Sequence, residues 1–240
     1  MKTEIIYDMP AAIYHAIPAI SSTGIKTFAK SPAHEKDRRD NPKPTTDVML
    51  LGSVTHSATW GLAANPPKHD TMEQFVVAVE CCTIKKGDGV KCSNQGTYVT
   101  DDGFWFCRTK GHAPASAHPP KTPPITVDIL NKAKACARAV FKHYDARKIL
   151  NSPTVKFEVS MFWTETVTLD IRGARSVVDI PCKARLDIYD PSFASWGESI
   201  ADVKTCQSSY LPDFEDDIAE RRYDLQTAWY LRGAMMASGG

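Results

Sequence analysis

Cys182-Lys-Ala-Arg-Leu-Asp187 and the later run Ile200-Ala-Asp202-Val-Lys204-Thr205 decide how this chain is read. Each is a short apolar run carrying one carboxylate, and the second adds a lysine two residues further on. Side chains along a strand alternate faces and rise about 3.3 Å per residue, so Asp202 and Lys204 project to one side, roughly 6.6 Å apart along the strand. Ala201 and Val203 then face a core. Between the runs, Tyr189-Asp-Pro-Ser-Phe-Ala-Ser-Trp-Gly197 is rich in turn formers, which fold the two strands back on each other and bring Asp187 near Asp202. Two carboxylates and a lysine so placed suit metal-assisted phosphodiester hydrolysis: carboxylate oxygens hold Mg²⁺, the ion activates water, and the ammonium steadies the transition state. The plainer reading is a surface hairpin with ordinary Asp and Lys, because D-x-K is too short to be specific.

At 240 residues, 42% hydrophobic and 24% charged, the chain has room for one sizeable domain with an insertion or for two small domains, and its composition is that of a soluble globular protein. It has no apolar run long enough for a membrane span, so no membrane partner is expected. The start, Met-Lys-Thr-Glu-Ile-Ile-Tyr-Asp, lacks a signal-peptide apolar region, and the expected compartment is the cytoplasm. Seven cysteines, an odd number, argue for reduced thiols or metal ligands over a fully paired disulfide framework. Lys and Arg outnumber Asp and Glu 20 to 14 over residues 1–150 and fall behind 9 to 14 over residues 151–240, net +6 and net −5. A basic front and an acidic core suit a nucleic-acid enzyme, although solvated faces alone produce such asymmetry.

Toward the N-terminus, Ser21 or Ser22 caps a short helix that stops at Ser31-Pro32, with Ile25 and Phe28 facing inward. Lys36, Arg38, Arg39 and Lys43 follow in a polar stretch able to touch phosphates, although a solvated loop is the more ordinary role for any one of them. Met49 to Trp60 forms a second helix, in which Gly52 permits close approach of a neighbouring backbone and His56 shares a face with Gly52 and Trp60. A histidine so placed is ordinarily a satisfied core or surface residue. Thr126 to about Leu150 has apolar residues at helical spacing, ending at Tyr144, and predicts one long helix. Val155 to Trp163 alternates as a strand, with Val155, Phe157, Val159 and Met161 on one face and Glu158 on the other. Residues 213–237 predict another long helix carrying Tyr223, Gln226 and Tyr230 on one stripe. A buried glutamine there needs a partner.

Residues 81–112 differ in character, with few apolar side chains and glycine-bounded turns beside cysteines. Cys82, Cys92, Cys107 and His112 supply three thiolates and one imidazole, a set suited to tetrahedral zinc, and Cys81 is an alternative to Cys82. The other reading is a loop with reduced thiols. A proline-rich connector, Ala113 to Pro124, returns the chain to its main domain. The expected division is therefore an N-terminal helical part over 1–75, a Cys/His-rich insertion and linker over 76–124, and a catalytic core over 125–240.

Taken together, Tyr14, Ile20-Ser21-Ser22, Ser31-Pro32, Gly52 with His56, Glu158, Arg185-Leu-Asp187, Asp202-Val-Lys204-Thr205 and Tyr223-Asp-Leu-Gln226 with Tyr230 resemble the exonuclease VIII (RecE-like) branch of the PD-(D/E)XK nuclease superfamily. The resemblance covers nearly all of the chain outside the insertion and linker. It implies an α/β fold, a central mixed β-sheet flanked by helices. By the same resemblance His56, Asp187 and Asp202 hold Mg²⁺ (or Mn²⁺), Lys204 assists the attacking water, and Glu158, Gln226 and Tyr230 lie at the site. The implied activity is exonucleolytic hydrolysis of linear double-stranded DNA from 5′ ends, leaving 3′ single-stranded tails for an annealing partner in phage-type recombination, with ring-shaped homo-oligomers. The chain stops at Ser238-Gly-Gly240, short of strands that relatives carry after the Gln/Tyr helix, so a DNA-binding or regulatory protein on a truncated nuclease fold stands as the alternative.

Overall fold

The structure is a computed structural model that describes residues 3–75, 77, 92, 94, 96, 98–102, 105–107, 109, 112–117, 124–193, 197–208 and 210–237. Its centre is a hairpin of two long strands, β4 (Lys156–Ile171) and β5 (Ala174–Phe193). Arg172 and Gly173 join them, both with positive φ (57° and 82°), the twist that a two-residue hairpin turn needs. β1 (Glu4–Ile6) adds to the free side of β4, and β6 (Gly197–Ala201) adds to the far end of β5, giving the order β1-β4-β5-β6. All three pairings are antiparallel. The mixed sheet expected from the sequence is thus corrected: parallel pairing among the described residues is confined to two isolated bridges, Ile20 with Cys182 and Val77 with Ile125. The chain is a mixed α and β fold, with the sheet flanked by helices.

The helices are α1 (Ala11–Ala16), α2 (Ser22–Lys30), α3 (Pro32–Asp40), α4 (Asp47–Trp60), α5 (Val127–Lys142), α6 (Tyr144–Leu150), α7 (Leu211–Glu220) and α8 (Tyr223–Ala237). Side-chain oxygens of Ser21, Ser31, Thr46 and Thr126 cap α2, α3, α4 and α5 by accepting from backbone N–H groups of the first turn. The stretch expected as a polar loop around Lys36 is α3, a helix without an apolar stripe. Buried Glu35 draws in Arg38 and Arg39 from the next turn, a local tie that hydrophobic periodicity does not register. Phe28, expected inside, is 42% exposed at the mouth of a cavity. The helix expected over 126–150 breaks at His143, whose extended ψ of 129° starts α6, and this leaves Tyr144 60% exposed. The helix expected over 213–237 likewise breaks at Arg222, where φ is 52°.

Two apolar clusters meet the hairpin. Val159, Met161 and Trp163 of β4 pack with Cys182, Ala184 and Leu186 of β5 and with Tyr230 and Ala234 of α8. Val155 and Phe157 pack instead with Ile188, Val203, Trp60 of α4 and Leu150 of α6. Val155, just before β4, and Phe157, Val159 and Met161 within it are buried as the alternation predicts, and Ser160 and Phe162 of the other face are buried too. Glu158 stands between the two groups in sequence and has φ 52°, a left-handed conformation that re-aims the strand where one cluster gives way to the other. Gly233 sets the approach of α8, because a Cβ there would stand 2.9 Å from the ring of fully buried Trp163. No helix among the described residues is long and apolar enough to cross a membrane.

Candidate active site

On β5 the buried apolar residues Ala184, Leu186 and Ile188 alternate with Lys183, Arg185 and Asp187, so a row of charge is carried on the other side of a strand anchored in the core. Lys183 is structural: its ammonium donates to the carbonyls of Tyr14 (2.8 Å) and Ile17 (2.7 Å) at the end of α1. Arg185 donates to Glu158 Oε2 (2.8 Å), Ser160 Oγ (3.0 Å) and Met9 O (2.9 Å), and pairs with Asp70. Asp187 comes next, and the β4–β5 register places it directly across from Glu158.

β6 ends at Ala201, and the chain continues through Asp202 to Thr205 without regular pairing. The turn begins later than the sequence suggests, since Tyr189 to Phe193 still belong to β5 and a register shift falls between Asp190 and Phe193. Ile188 nevertheless pairs with Ala201, so Asp187 and Asp202 stand next to each other as expected. Asp187 Oδ2 accepts from the Val203 N–H at 2.9 Å. Asp202 and Lys204 do share a side, and they form an ion pair with each other.

Helix α4 closes the site through the face predicted for it. His56 Nε2 lies 2.8 Å from Val203 O and 3.6 Å from Asp187 Oδ2, while Nδ1 lies 3.9 Å from Glu158 Oε1. A carbonyl only accepts, so Nε2 carries the proton in the neutral ring and Nδ1 keeps its lone pair toward Glu158. Trp60 donates its indole N–H to Glu158 Oε1 at 3.1 Å. Gly52 meets the side chain of Thr205, 3.6 Å from where a Cβ would sit, and not a neighbouring backbone as the sequence suggested. The stripe on α8 arrives from the other side: Gln226 donates to Asp202 Oδ1 (3.2 Å) and to the Tyr230 hydroxyl (2.8 Å) and accepts from Lys26 (2.9 Å). Lys26 and Lys204 both lie over the Tyr223 ring, 5.6 and 5.5 Å from its centre.

His56, Glu158 and Asp187 each bring a ligand atom within 4.8 Å of the others, a group able to hold a metal ion. Asp202, expected as a ligand, is not in that group, its two oxygens meeting Gln226 and Lys204; Glu158, expected at the site, is in it. Burial raises the Asp187 carboxyl, the His56 ring pulls it down and Asp202 pushes it up, with a net result of about 7. Burial also raises Tyr230, with Asp187 and Asp202 adding to it, so its hydroxyl stays protonated. Lys26 is held below its ordinary value by burial and by the nearby Lys204 ammonium. A cavity of about 890 Å³ opens beside the site, with Ser22, Arg38, Arg39, Lys183, Arg185 and Tyr230 in its wall.

Sequence reasoning missed Lys26 and Asp70. Lys26 had no motif around it; its one signal is its place in α2, a helix that packs on α8. Asp70, in an irregular stretch, had none. A second group able to hold a metal lies in the insertion, where Cys92, Cys107 and His112 come within 4.8 Å of one another. Cys82, expected to complete that set, and its alternative Cys81 lie outside the described residues. Comparisons of the chain with protein-family models, with curated proteins and with solved structures found no match.

Proposed function

We propose that this chain is a divalent-metal-dependent deoxyribonuclease of the PD-(D/E)XK kind, resembling the exonuclease VIII branch, and that it hydrolyses linear double-stranded DNA. The observation that carries the reading is the convergence of His56, Glu158 and Asp187 beside the Asp202–Lys204 pair. The donor set fits Mg²⁺ or Mn²⁺: two carboxylates and one imidazole, no thiolate, and a buried carboxyl whose ionised form is penalised until a cation faces it. A bound ion of this kind supplies a water of lowered pKa and polarises a phosphate oxygen.

The protein's own groups do the rest. Trp60 and Arg185 fix the two Glu158 oxygens, and the Val203 N–H fixes Asp187, so the carboxylates are oriented before anything binds. Gln226 holds Asp202, which holds Lys204, and the lysine ammonium is placed to donate to charge developing on a phosphate. Exonucleolytic polarity from 5′ ends, ring assembly and delivery of 3′ tails to an annealing protein belong to the same proposal and rest on the sequence resemblance alone.

The direct ion pair of Lys204 with Asp202 supports a second reading, a DNA-binding or regulatory protein in which this lysine has been retired from chemistry. End-labelled linear duplex, incubated with Mg²⁺, Mn²⁺ or EDTA, separates the two. Degradation with either ion and none in EDTA is expected. Undiminished hydrolysis in EDTA would sink the metal mechanism, and retention of DNA ends without cleavage under any divalent ion selects the second reading.

A further inference from the structure

We propose that Cys92, Cys107 and His112 bind a zinc ion that holds the small hairpin of the insertion together, a site separate from the carboxylate centre and independent of the nuclease reading. The hairpin consists of β2 (Tyr98–Val99) and β3 (Trp105–Phe106), two residues each, paired Tyr98 with Phe106 and Val99 with Trp105. Cys92 precedes it, Cys107 follows β3 immediately, and His112 lies five residues further on.

Such a hairpin is at best marginally stable in water without packing beneath it. Among the described residues from 92 to 117, the buried hydrophobic side chains are those of Cys92 and Cys107, 1% and 3% exposed, and they form a cluster with no other buried member. Among the described residues Tyr98, Val99, Trp105 and Phe106 of the hairpin are only half-buried and the buried core is two sulfurs, which is the circumstance in which small folds take a structural metal.

The sulfur–sulfur distance agrees with that, and the sulfur–imidazole distance is about 0.4 Å shorter than an occupied site requires. Cys92 Sγ lies 3.9 Å from Cys107 Sγ, and Cys107 Sγ lies 3.2 Å from His112 Nδ1. Two sulfurs each about 2.3 Å from one zinc at a tetrahedral angle stand about 3.8 Å apart, and a sulfur and an imidazole nitrogen about 3.6 Å. A disulfide would bring the sulfurs to about 2.05 Å. Around Cys107 the side-chain N–H of Asn94 donates to Sγ at 3.8 Å and Thr109 Oγ1 lies at 3.2 Å, contacts of the kind that steady a ligating thiolate. Soft sulfur with imidazole selects zinc over the hard cations suited to the carboxylate centre.

The test is metal analysis of the full chain purified without added zinc, joined to cobalt exchange. About one zinc per chain is expected, lost in Cys92→Ser and in Cys107→Ser and kept in Asp187→Asn. Cobalt in the wild-type chain should give the intense visible bands of a tetrahedral site with thiolate-to-metal charge transfer. That spectrum is read on the wild type, so it decides the matter even where a cysteine variant fails to fold. Absence of charge transfer with no retained zinc overturns the proposal. So does zinc retained unchanged in the Cys92→Ser/Cys107→Ser double variant, or an iron–sulfur chromophore in place of zinc.

Discussion

Replacing Asp187 with asparagine should stabilise the metal-free protein, and only at neutral to alkaline pH. Asp187 is 7% exposed, and its carboxyl moves from an ordinary 3.8 to about 7, chiefly because burial disfavours the charge. At 1.36 kcal/mol per pKa unit, the ionised form is penalised by about 4 kcal/mol, a ceiling that relaxation and water entry reduce to about 2 kcal/mol. The sign follows from proton counts. The folded value lies above the unfolded one, so between them the unfolded chain has released a proton that the folded chain keeps. Unfolding free energy therefore falls as pH rises from about 4 to about 7, and the full penalty is present above that. Asparagine keeps an oxygen for the Val203 N–H and removes the titration. Urea unfolding in EDTA should show the variant more stable than wild type by about 2 kcal/mol near pH 8 and about equal near pH 4. Adding Mg²⁺ or Mn²⁺ should raise the wild type alone. A variant that is less stable than wild type near pH 8, or offset by the same amount at both pH values, would refute this account of the site.

Lys204→Ala should lower kcat by roughly 10²–10³, about 2.7–4 kcal/mol, while leaving the metal-induced rise in Tm in place, because the lysine stands beside the ligand group and outside it. Equal single-turnover rates for variant and wild type would remove Lys204 from the mechanism. Gly233→Ala gains about 0.5–1 kcal/mol of helix propensity and loses about 1–3 kcal/mol to the clash with the Trp163 ring, so denaturant unfolding should show a net loss of about 1 kcal/mol. A more stable variant would mean that α8 sits further from the sheet.

What the sequence disclosed about the site follows from which interactions are local. Asp187 and Asp202 are joined by a short connection, so turn chemistry and alternation suffice to put them together. His56, Gly52 and Trp60 lie a helical turn apart, and Gln226 and Tyr230 likewise, so each helix face was readable. What a face meets across the molecule was not. Lys26 reaches Gln226 over 200 residues of sequence and Arg185 reaches Asp70 over 115, and nothing local records such pairings. Glu158 stands on the Asp187 side of the sheet, as alternation predicts, while Asp202 turns to Gln226 and Lys204, contacts that no local pattern records. The outer half of the β4–β5 hairpin went unread although Arg172-Gly173 is a serviceable turn, because its alternating residues such as Thr166, Thr168 and Asp179 have no buried face to mark them.

The unbroken register of that hairpin constrains how the chain can change in length. Glu158 faces Asp187 because the same number of residues separates each from the Arg172-Gly173 turn. One residue inserted into a single strand would turn Glu158 to the opposite side of the sheet, and two would carry it a full repeat, about 6.6 Å, past its partner. Insertions matched rung for rung on both strands beyond Trp163 would leave the site as it is and merely lengthen the arm. Among descendants of this sequence, the arm is therefore free to grow or shrink in paired steps, and lineages that gain an unpaired residue there should show a bulge beside it.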